Sequence, residues 1–325
     1  MSRRRRMHRP LRRAFKRIKN DCLYSGFRAV VALFRALPPA RGLRLGAAIG
    51  TAAYYLLWPD RRRALEHLAI AFGEEKTQAE RRRIARACFA HLGMCFVEFV
   101  NFERMKDRLG EYVELSNRAV IDACLARGKG LIWVTGHLGN WEILASYMGA
   151  QERFKVNAVS RAAYDRRMQG LLVRLRAHSD VRSIERGDPR ATRELIRVFR
   201  RNEVLAMLID QDTRVQGVFV DFFGRPAWTP VAAAALAYKM DAPVLVGFIE
   251  RIDAKLGGVP RHRITVSDPI ELPRTGDPQE DLRLATAEFT KRIEAQIRRV
   301  PEQWVWMHRR WKRRPDPAKE SSTPA

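Results

Sequence analysis

The residue types best suited to chemistry lie in the segment 136–142, which contains His137 and, five residues later, Glu142. The apolar run before it, residues 130–135, is typical of a buried strand, and residues 143–148 after it are typical of a helix. With His137 in the turn before the helix and Glu142 in its first turn, the carboxylate can accept a hydrogen bond from one imidazole nitrogen. The other nitrogen then remains available as a general base towards a hydroxyl. The alternative is an incidental loop histidine beside a surface glutamate.

Polar residues also follow two other predicted strands. Strand 155–159 is followed by Arg161, and strand 204–209 is followed by Asp210 and Asp212. Because sites in open α/β sheets form beyond the carboxyl ends of the strands, the three turns can converge on one crevice. Arg161 can bind a phosphate by a bidentate contact, with a solvated arginine as the open alternative. The two aspartates can form a metal or acid pair, but no matching ligands accompany them, which favours positioning of Arg161 or of the turn.

The elements that must position these residues alternate between helix and strand after residue 116. Alternation of this kind predicts an α/β fold with a mostly parallel central sheet flanked by helices. We predict strands at 130–135, 155–159, 204–209 and 243–249, an edge strand at 261–266, and helices at 139–150, 164–178, 189–201, 229–240 and 278–299. Asp188-Pro189 and Thr229-Pro230 have the residue types that begin helices, so two of these helices are expected to start there. The first hundred residues are predicted to be helical.

The charge of the chain is extreme, with 61 Lys and Arg against 36 Asp and Glu and a net charge of +25. This surplus indicates an anionic partner, and nucleic acid, anionic lipid and an acidic carrier protein all qualify. A hydrophobic share of 46% over 325 residues can build a sizeable core, which excludes a chain that is disordered by composition. The four cysteines have no CxxC spacing, and Cys88 and Cys95 fall near an apolar helical stripe, which favours buried reduced thiols over a disulfide or metal site.

Residues 1–58 are predicted to form a basic region that associates with a membrane. Their longest uncharged run, residues 45–58, has 14 residues. As a helix this run would span about 21 Å, which is short of the roughly 30 Å hydrocarbon core. We therefore expect it to lie in the interface or to insert as a shallow hairpin with Pro38-Pro39 at the turn, the basic flank remaining cytoplasmic. The alternative is that the apolar runs are soluble core helices. A domain over 59–314 follows, and the tail 315–325 is predicted to be disordered.

Four blocks of the chain, in order, resemble the lipid A late acyltransferases, the lauroyl and myristoyl transferase family. The blocks are residues 63–72, 136–142, 210–212 with 220–227, and 301–312. In the first block, His67 stands in place of the family's usual Asn. The second block has the His-x4-Asp/Glu motif of glycerolipid acyltransferases, which alone is a weak signal, whereas four blocks in order are a strong one. The resemblance covers about residues 40–314.

The resemblance implies a glycerolipid-acyltransferase-like fold and an O-acyltransferase. His137 would deprotonate a hydroxyl of a lipid A precursor in lipopolysaccharide biosynthesis, and Glu142 would orient its imidazole. The acyl group would come from a thioester of acyl carrier protein or from acyl-CoA, without a covalent acyl-enzyme. Arg161 would hold a phosphate of acceptor or donor, and Asp212 would be a further substrate-binding residue. No cofactor or metal is implied. The anionic lipid acceptor and the membrane surface would be further partners. The protein would act at the cytoplasmic face of the bacterial inner membrane.

Two alternatives stay open in the sequence. The same chemistry can serve another membrane acceptor, such as a lysophospholipid, an ornithine-type lipid or a glycolipid. The charge alone is also compatible with a non-enzymatic nucleic-acid binder. No nucleic-acid-binding motif is recognisable and the ordered blocks count against that class, so nucleic acid is not expected as a partner.

Overall fold

A computed structural model of the protein describes residues 3–161, 166–177, 181–256 and 258–316. Helices occupy most of the first hundred residues and then alternate with strands, as predicted. The helices are α1 (Arg3–Ala36), α2 (Pro39–Leu56), α3 (Trp58–Phe72), α4 (Gln78–Met105), α5 (Leu109–Tyr112), α6 (Arg118–Ala126), α7 (Trp141–Ser146), α8 (Arg166–Ala177), α9 (Ala191–Arg200), α10 (Ala232–Met240) and α11 (Pro278–Arg299). A π-helical turn, Tyr147–Gln151, extends α7, and a 3-10 turn, Pro301–Gln303, follows α11.

The strands form a seven-stranded sheet and a separate two-stranded hairpin. They are β1 (Val113–Leu115), β2 (Leu131–Thr135), β3 (Val156–Arg161), β4 (Val181–Arg186), β5 (Val204–Leu208), β6 (Gly217–Phe222), β7 (Arg225–Pro230), β8 (Val244–Leu256) and β9 (Val259–Val266). The sheet has the order β1-β9-β8-β2-β5-β3-β4, and every neighbouring pair in it is parallel except β8 with β9. The predicted α/β fold with a mostly parallel sheet is therefore confirmed.

The central strand β2 shows why the sheet is covered by helices on both faces. All five of its residues are buried, and successive side chains point to opposite faces. Leu131 and Trp133 pack in one core cluster with α6 and α7, whereas Ile132 and Val134 pack in a second cluster with α3, α10 and α11. A strand that is buried on both faces reads as a continuous apolar run, which is the pattern seen in this segment.

The second strand of the β6–β7 hairpin occupies the position where the sequence predicted the start of a helix. The prediction that a helix begins at Thr229-Pro230 is wrong, because both residues lie in β7 and α10 begins only after the hairpin. Pro230 pairs with Gly217 at the open end of this two-stranded sheet, where its missing N–H costs no inner ladder bond. The turn uses Phe223 and Gly224, which have φ of 56° and 71°.

The start predicted for the helix after Asp188-Pro189 is also wrong by two residues, since α9 begins at Ala191. The Asp188 carboxylate accepts a hydrogen bond from the backbone N of Arg190 at 2.8 Å. This contact closes a turn that precedes the helix, so the aspartate does not cap the helix itself.

The α2 and α4 helices approach each other so closely that backbone meets backbone. Glycines line the contact: a Cβ on Gly93 would overlap the carbonyl oxygen of Gly46, and a Cβ on Gly50 would overlap that of Phe89. Only residues without a side chain permit this distance. Helix α2 is thereby packed onto the α/β domain through one of its faces.

One segment of the described chain, Gln78–Tyr112, has the length and apolar composition to cross a membrane, and 56% of its most apolar window is buried inside the protein. Buried core helices of soluble proteins pass the same test. The uncharged run 45–58 lies mainly in α2. The proposed boundaries at residues 58 and 314 stay predictions, and the predicted disorder of the tail falls from residue 317 onwards outside the described residues.

Candidate active site

The turn that joins β2 to α7 places His137 just beyond the carboxyl end of a central strand. Within this turn Gly139 has a φ of 61°, and a Cβ there would overlap the carbonyl oxygen of Ile249. Asn140 then begins the helix, because its side-chain oxygen accepts a hydrogen bond from the backbone N of Ile143 at 3.3 Å. The structure thus has the strand, turn and helix order that the sequence predicts around His137.

A carboxylate that follows the neighbouring strand β5 contacts both the ring and the backbone of His137. Asp210 Oδ1 lies 2.7 Å from His137 Nδ1, and Asp210 Oδ2 accepts the backbone N–H of His137 at 2.6 Å. Asp210 follows β5, which pairs in parallel with β2, so the two turns are adjacent at one edge of the sheet. A carboxylate can only accept, so Nδ1 carries the hydrogen and Nε2 has the free lone pair of a base.

Asp210 is buried, with 1% of its surface exposed. Burial alone would raise the pKa of this carboxyl group, but the charge of the His137 imidazole and the hydrogen bonds from His137 and Trp304 hold the pKa well below its ordinary value. The indole Nε1 of Trp304 donates to Asp210 Oδ2 at 2.8 Å. Asp210 is therefore ionised at any physiological pH and stabilises a positive charge on the imidazole.

An amide lies against the rings of His137 and a second histidine, His308. Gln211 Nε2 is 3.3 Å and 3.0 Å from Nδ1 and Nε2 of His137, and 2.9 Å and 3.0 Å from Nδ1 and Nε2 of His308. The two imidazole rings are perpendicular, with centroids 4.8 Å apart. Burial, and then the charge of His137, lowers the pKa of His308 to about 4, so that His308 is neutral at physiological pH.

An apolar cavity of about 390 Å³ opens beside His137. Its floor is one face of the sheet, since the strand register aligns Trp133 of β2 with Ala206 of β5 and with Ala158 of β3. Helix α7 and its π-helical turn supply the wall through Leu144 and other side chains. The floor runs from the amino ends of the strands to their carboxyl ends, where the polar residues cluster. The remaining lining residues include Trp141, Met148, Val156, Ser160, Val181, Arg186, Val204, Leu208 and Thr213.

The segment after α11 pairs with the backbone of the turn that contains His137. Residue Leu138 forms an isolated antiparallel bridge with Trp304. The backbone N of Gly139 donates to the carbonyl oxygen of Gln303 at 2.9 Å, and the backbone N of Val305 donates to that of His137 at 3.2 Å. The turn that carries His137 is therefore fixed by backbone pairing as well as by Asp210.

A buried network of charged side chains contacts Asn140 at the end of the same turn. Glu98 of α4 is 2% exposed and forms an ion pair with Arg251 of β8 at 2.6 Å and a contact with His262 of β9 at 3.0 Å. It also accepts a hydrogen bond from Asn140 Nδ2 at 2.8 Å. The residue that begins α7 is thus tied to helix and strands by charged partners.

A sequence model of the family described as bacterial lipid A biosynthesis acyltransferase matches residues 17–313. The chain belongs to this family. The match spans all four blocks, and it decides between an enzyme and a nucleic-acid binder in favour of an enzyme that transfers acyl groups onto lipid.

Two relatives are similar over most of their length, and a third over less than half of it. The lipid A biosynthesis lauroyltransferase of Escherichia coli is 27% identical over 277 residues, which are 84% of this chain and 86% of the relative. The lipid A biosynthesis palmitoleoyltransferase of Escherichia coli is 24% identical over 83% of this chain and 85% of the relative. A phosphatidylinositol mannoside acyltransferase of Mycobacterium tuberculosis is 28% identical over a shorter stretch, 38% of this chain and 40% of the relative.

The other three residues predicted for the site, Glu142, Arg161 and Asp212, follow or end strands at the same edge of the sheet as His137. Glu142 is the second residue of α7 and lines the cavity, and its role beside the imidazole stays a prediction. Arg161 is the last residue of β3, and its side chain lies outside the described part of the structure. Asp212 accepts a hydrogen bond from the backbone N of Arg313 at 2.8 Å, and substrate binding by Arg161 and Asp212 stays a prediction.

Sequence reasoning missed three contacts of His137, which are those with Asp210, Gln211 and His308. Asp210 was placed at a strand end, but its contact with the imidazole joins residues from two strands that the sequence cannot register. His308 and Trp304 were noted only as part of the C-terminal block. The polar residues at strand ends were the signal that could have paired Asp210 with His137.

The cysteines agree with the expectation of free thiols. Cys88 and Cys95 are buried and unoxidised. Burial raises the pKa of each thiol to about 12. Neither residue can therefore supply a thiolate nucleophile at physiological pH.

Proposed function

We propose that this protein transfers a fatty acyl chain from an acyl thioester to a hydroxyl of a lipid A precursor. The observation that carries the proposal is His137, held by a buried carboxylate, at the polar end of an apolar cavity. A base and an acyl-sized apolar cavity are the two parts that this reaction requires. Family membership supports the acyl transfer, and the relatives that are similar over most of the chain support a lipid A acceptor.

The chemistry follows from the tautomer of His137. The acceptor hydroxyl gives its proton to His137 Nε2 as its oxygen forms a bond to the thioester carbonyl carbon, and the carbonyl electrons move onto oxygen. Collapse of this intermediate re-forms the carbonyl and breaks the C–S bond, and the thiolate takes the proton from the imidazolium. Asp210 holds the ring and stabilises its positive charge throughout, so no covalent acyl-enzyme is required. Glu142, at the cavity wall, is proposed to assist the imidazole.

The donor is proposed to be acyl carrier protein or acyl-CoA. The net charge of +25 favours both an acidic carrier protein and a carrier rich in phosphate. Arg161, at the end of β3, and Asp212 are proposed to contact donor or acceptor. The acyl chain is proposed to lie along the sheet face that forms the cavity floor, where apolar side chains replace water around it.

The protein is proposed to act at the cytoplasmic face of the bacterial inner membrane, to which residues 1–58 attach it. Large apolar side chains are exposed at the end of α2 and the start of α3, among them Leu56 at 79% and Trp58 at 55%. Arg61 and Arg82 lie beside this ridge. An exposed apolar ridge bordered by arginines fits the interface of an anionic membrane.

A different acceptor is the second candidate. The similarity to a phosphatidylinositol mannoside acyltransferase supports a glycolipid acceptor with the same base and the same cavity. That similarity spans less than half of the relative, whereas the lipid A transferases are similar over most of their length. We therefore favour the lipid A precursor.

The test combines purified protein with lipid A precursors and acyl thioesters of several lengths, followed by mass spectrometry of the lipids. The expected product is a lipid A precursor heavier by one acyl group, with no such product from His137→Ala. Transfer only to phosphatidylinositol mannosides or lysophospholipids would contradict the lipid A acceptor. In a deletion strain, loss of one secondary acyl chain from lipid A is expected, and unchanged lipid A would count against the proposal.

A further inference from the structure

An arginine lies at the polar end of the cavity that contains His137. Arg186 is the last residue of β4, and it lines the cavity together with His137. Among the described residues that line this cavity, it is the one arginine or lysine. The residue is exposed, so a ligand that enters the cavity from solvent can reach its guanidinium.

The acidic residues next to Arg186 in the chain are bound to other partners. Glu185 Oε1 accepts a hydrogen bond from Gln169 Nε2 at 2.6 Å. Asp188 forms an ion pair with Arg190 at 3.1 Å. Arg186 itself forms no ion pair within the part of the chain that the structure describes. Its positive charge is therefore available to an anion.

A second arginine ends the neighbouring strand at the same level. Arg161 is the Cα partner of Arg186 in the parallel pairing of β3 with β4. Coulomb repulsion between two neighbouring positive residues is offset when an anion binds beside them. The pair also stands at the carboxyl ends of the strands, where ligands of open α/β sheets bind. Both facts favour an anion at this end of the cavity.

The order of the strands separates Arg186 from His137. Strand β4 lies three strands from β2, with β5 and β3 between them. At about 4.8 Å per strand, the ends of β2 and β4 are about 14 Å apart. Arg186 is thus placed to contact a part of a substrate that is remote from the carbonyl carbon at His137. Its contribution falls on substrate binding rather than on the chemical step.

We propose that Arg186 is a phosphate-binding residue of this cavity and that its ligand is a phosphate ester carried by one of the two substrates. The planar fork of a guanidinium binds two phosphate oxygens at once. The inference rests on the proposed function, because both substrates of that reaction carry such a group. The donor has a phosphate at the far end of its pantetheine arm, and the lipid A precursor has phosphates on its head group.

The experiment measures the binding of two pairs of ligands, each pair differing only in phosphate. The donor pair is S-hexadecyl phosphopantetheine and S-hexadecyl pantetheine, thioethers that have no carbonyl and cannot react. The acceptor pair is a lipid A precursor and the same lipid after removal of its phosphates. Each ligand is titrated against wild type, Arg186→Gln and Arg186→Lys. The matched control is Arg193→Gln, since Arg193 is an exposed arginine of α9 that lies outside the cavity lining.

Arg186→Gln is expected to raise the Kd of a phosphorylated ligand about tenfold or more, because a charge-assisted hydrogen bond is lost, and to leave the Kd of its phosphate-free twin unchanged. Arg186→Lys should lose less affinity, since it keeps the charge and lacks only the fork. Arg193→Gln should bind as the wild type does, and the melting temperature should be unchanged in every variant. A phosphate-dependent loss on the donor pair assigns the phosphate to the donor, and one on the acceptor pair assigns it to the acceptor.

Two outcomes would overturn the role of Arg186. One is a loss of affinity in Arg186→Gln that is the same with and without phosphate in both pairs of ligands. The other is a loss in Arg193→Gln as large as that in Arg186→Gln, which would show a general effect of surface charge. Steady-state acyl transfer adds a third readout: KM for the phosphorylated substrate should rise while kcat stays within threefold of wild type, and a fall in kcat alone would contradict a binding role.

Binding and transfer together separate this inference from the proposed function. Absence of acyl transfer from the wild type to a lipid A precursor would contradict the proposed function, while a phosphate-dependent loss of binding in Arg186→Gln would still support the phosphate site. Transfer by the wild type, together with equal binding of all four ligands by wild type and Arg186→Gln, would overturn the role of Arg186 alone.

Discussion

The two carboxylate oxygens of Asp210 bind two different hydrogens of His137, one on the ring and one on the backbone. Oδ1 fixes which ring nitrogen is protonated, and Oδ2 fixes where the residue lies relative to β5. A single side chain thereby sets both the tautomer and the position of His137.

Asp210→Asn should inactivate the enzyme without unfolding it. An amide has one accepting oxygen, so either the ring N–H or the backbone N–H of His137 would face an NH2 group. We expect kcat to fall on the order of 10³- to 10⁴-fold, the scale of loss when a histidine base loses its orienting carboxylate. Steady-state acyl transfer measures the effect, with the exposed Asp268→Asn as control. A variant with more than a tenth of wild-type kcat would contradict it.

Acid should destabilise the fold through buried histidines. The pKa of His308 falls to about 4 and that of His91 to about 3, in each case chiefly because of burial. The unfolded chain therefore binds more protons below pH 6.5, so stability is fully present above that pH and is lost as the pH falls towards 4. The carboxyl groups of Asp210 and Glu98 have pKa values below their ordinary range, so their protonation at still lower pH also reduces the stability of the fold.

Urea unfolding at pH 7, 6 and 5 measures this dependence. His308→Asn removes one titrating group, and we expect it to reduce the slope of unfolding free energy against pH by up to about 1.4 kcal/mol per pH unit. An identical slope in the variant and the wild type would show that His308 is not protonated differently in the folded and unfolded chains.

Gly93→Ala should separate α2 from α4. The added methyl group would overlap the backbone oxygen of Gly46, and neither backbone can turn aside as a flexible side chain would. We expect a loss of about 1–3 kcal/mol or more in the free energy of unfolding. Gly26→Ala is the matched control, since a Cβ there has nothing within 4 Å and should stabilise α1 slightly. Equal melting temperatures for both variants would contradict the close packing.

Ala206→Leu should shorten the acyl chain that the enzyme accepts. Ala206 lies in the cavity floor midway along β5, so a larger side chain there would block the inner half. We expect kcat/KM for a palmitoyl donor to fall tenfold or more, while a short-chain donor loses much less. The exposed Ala119→Leu on α6 is the control. Equal losses for long and short donors would argue against an acyl chain on this face of the sheet.

The sequence predicted the parts of the site that depend on local pattern. The strand, turn and helix around His137 follow from apolar periodicity and two glycines, and the polar ends of three strands indicated the edge of the sheet. The contact of Asp210 with His137 depends on the register of β2 and β5, which no local pattern encodes. The β6–β7 hairpin was missed because Thr229-Pro230 suits a helix start as well as a strand end.

The hydrogen bond from Trp304 to Asp210 has a consequence for the biogenesis of the enzyme. His137 and Asp210 leave the ribosome long before Trp304, so a nascent chain can complete β2 and β5 while His137 still lacks the C-terminal segment that pairs with its turn. The contacts around His137 are therefore complete only late in synthesis, when the C-terminal segment docks onto the finished sheet.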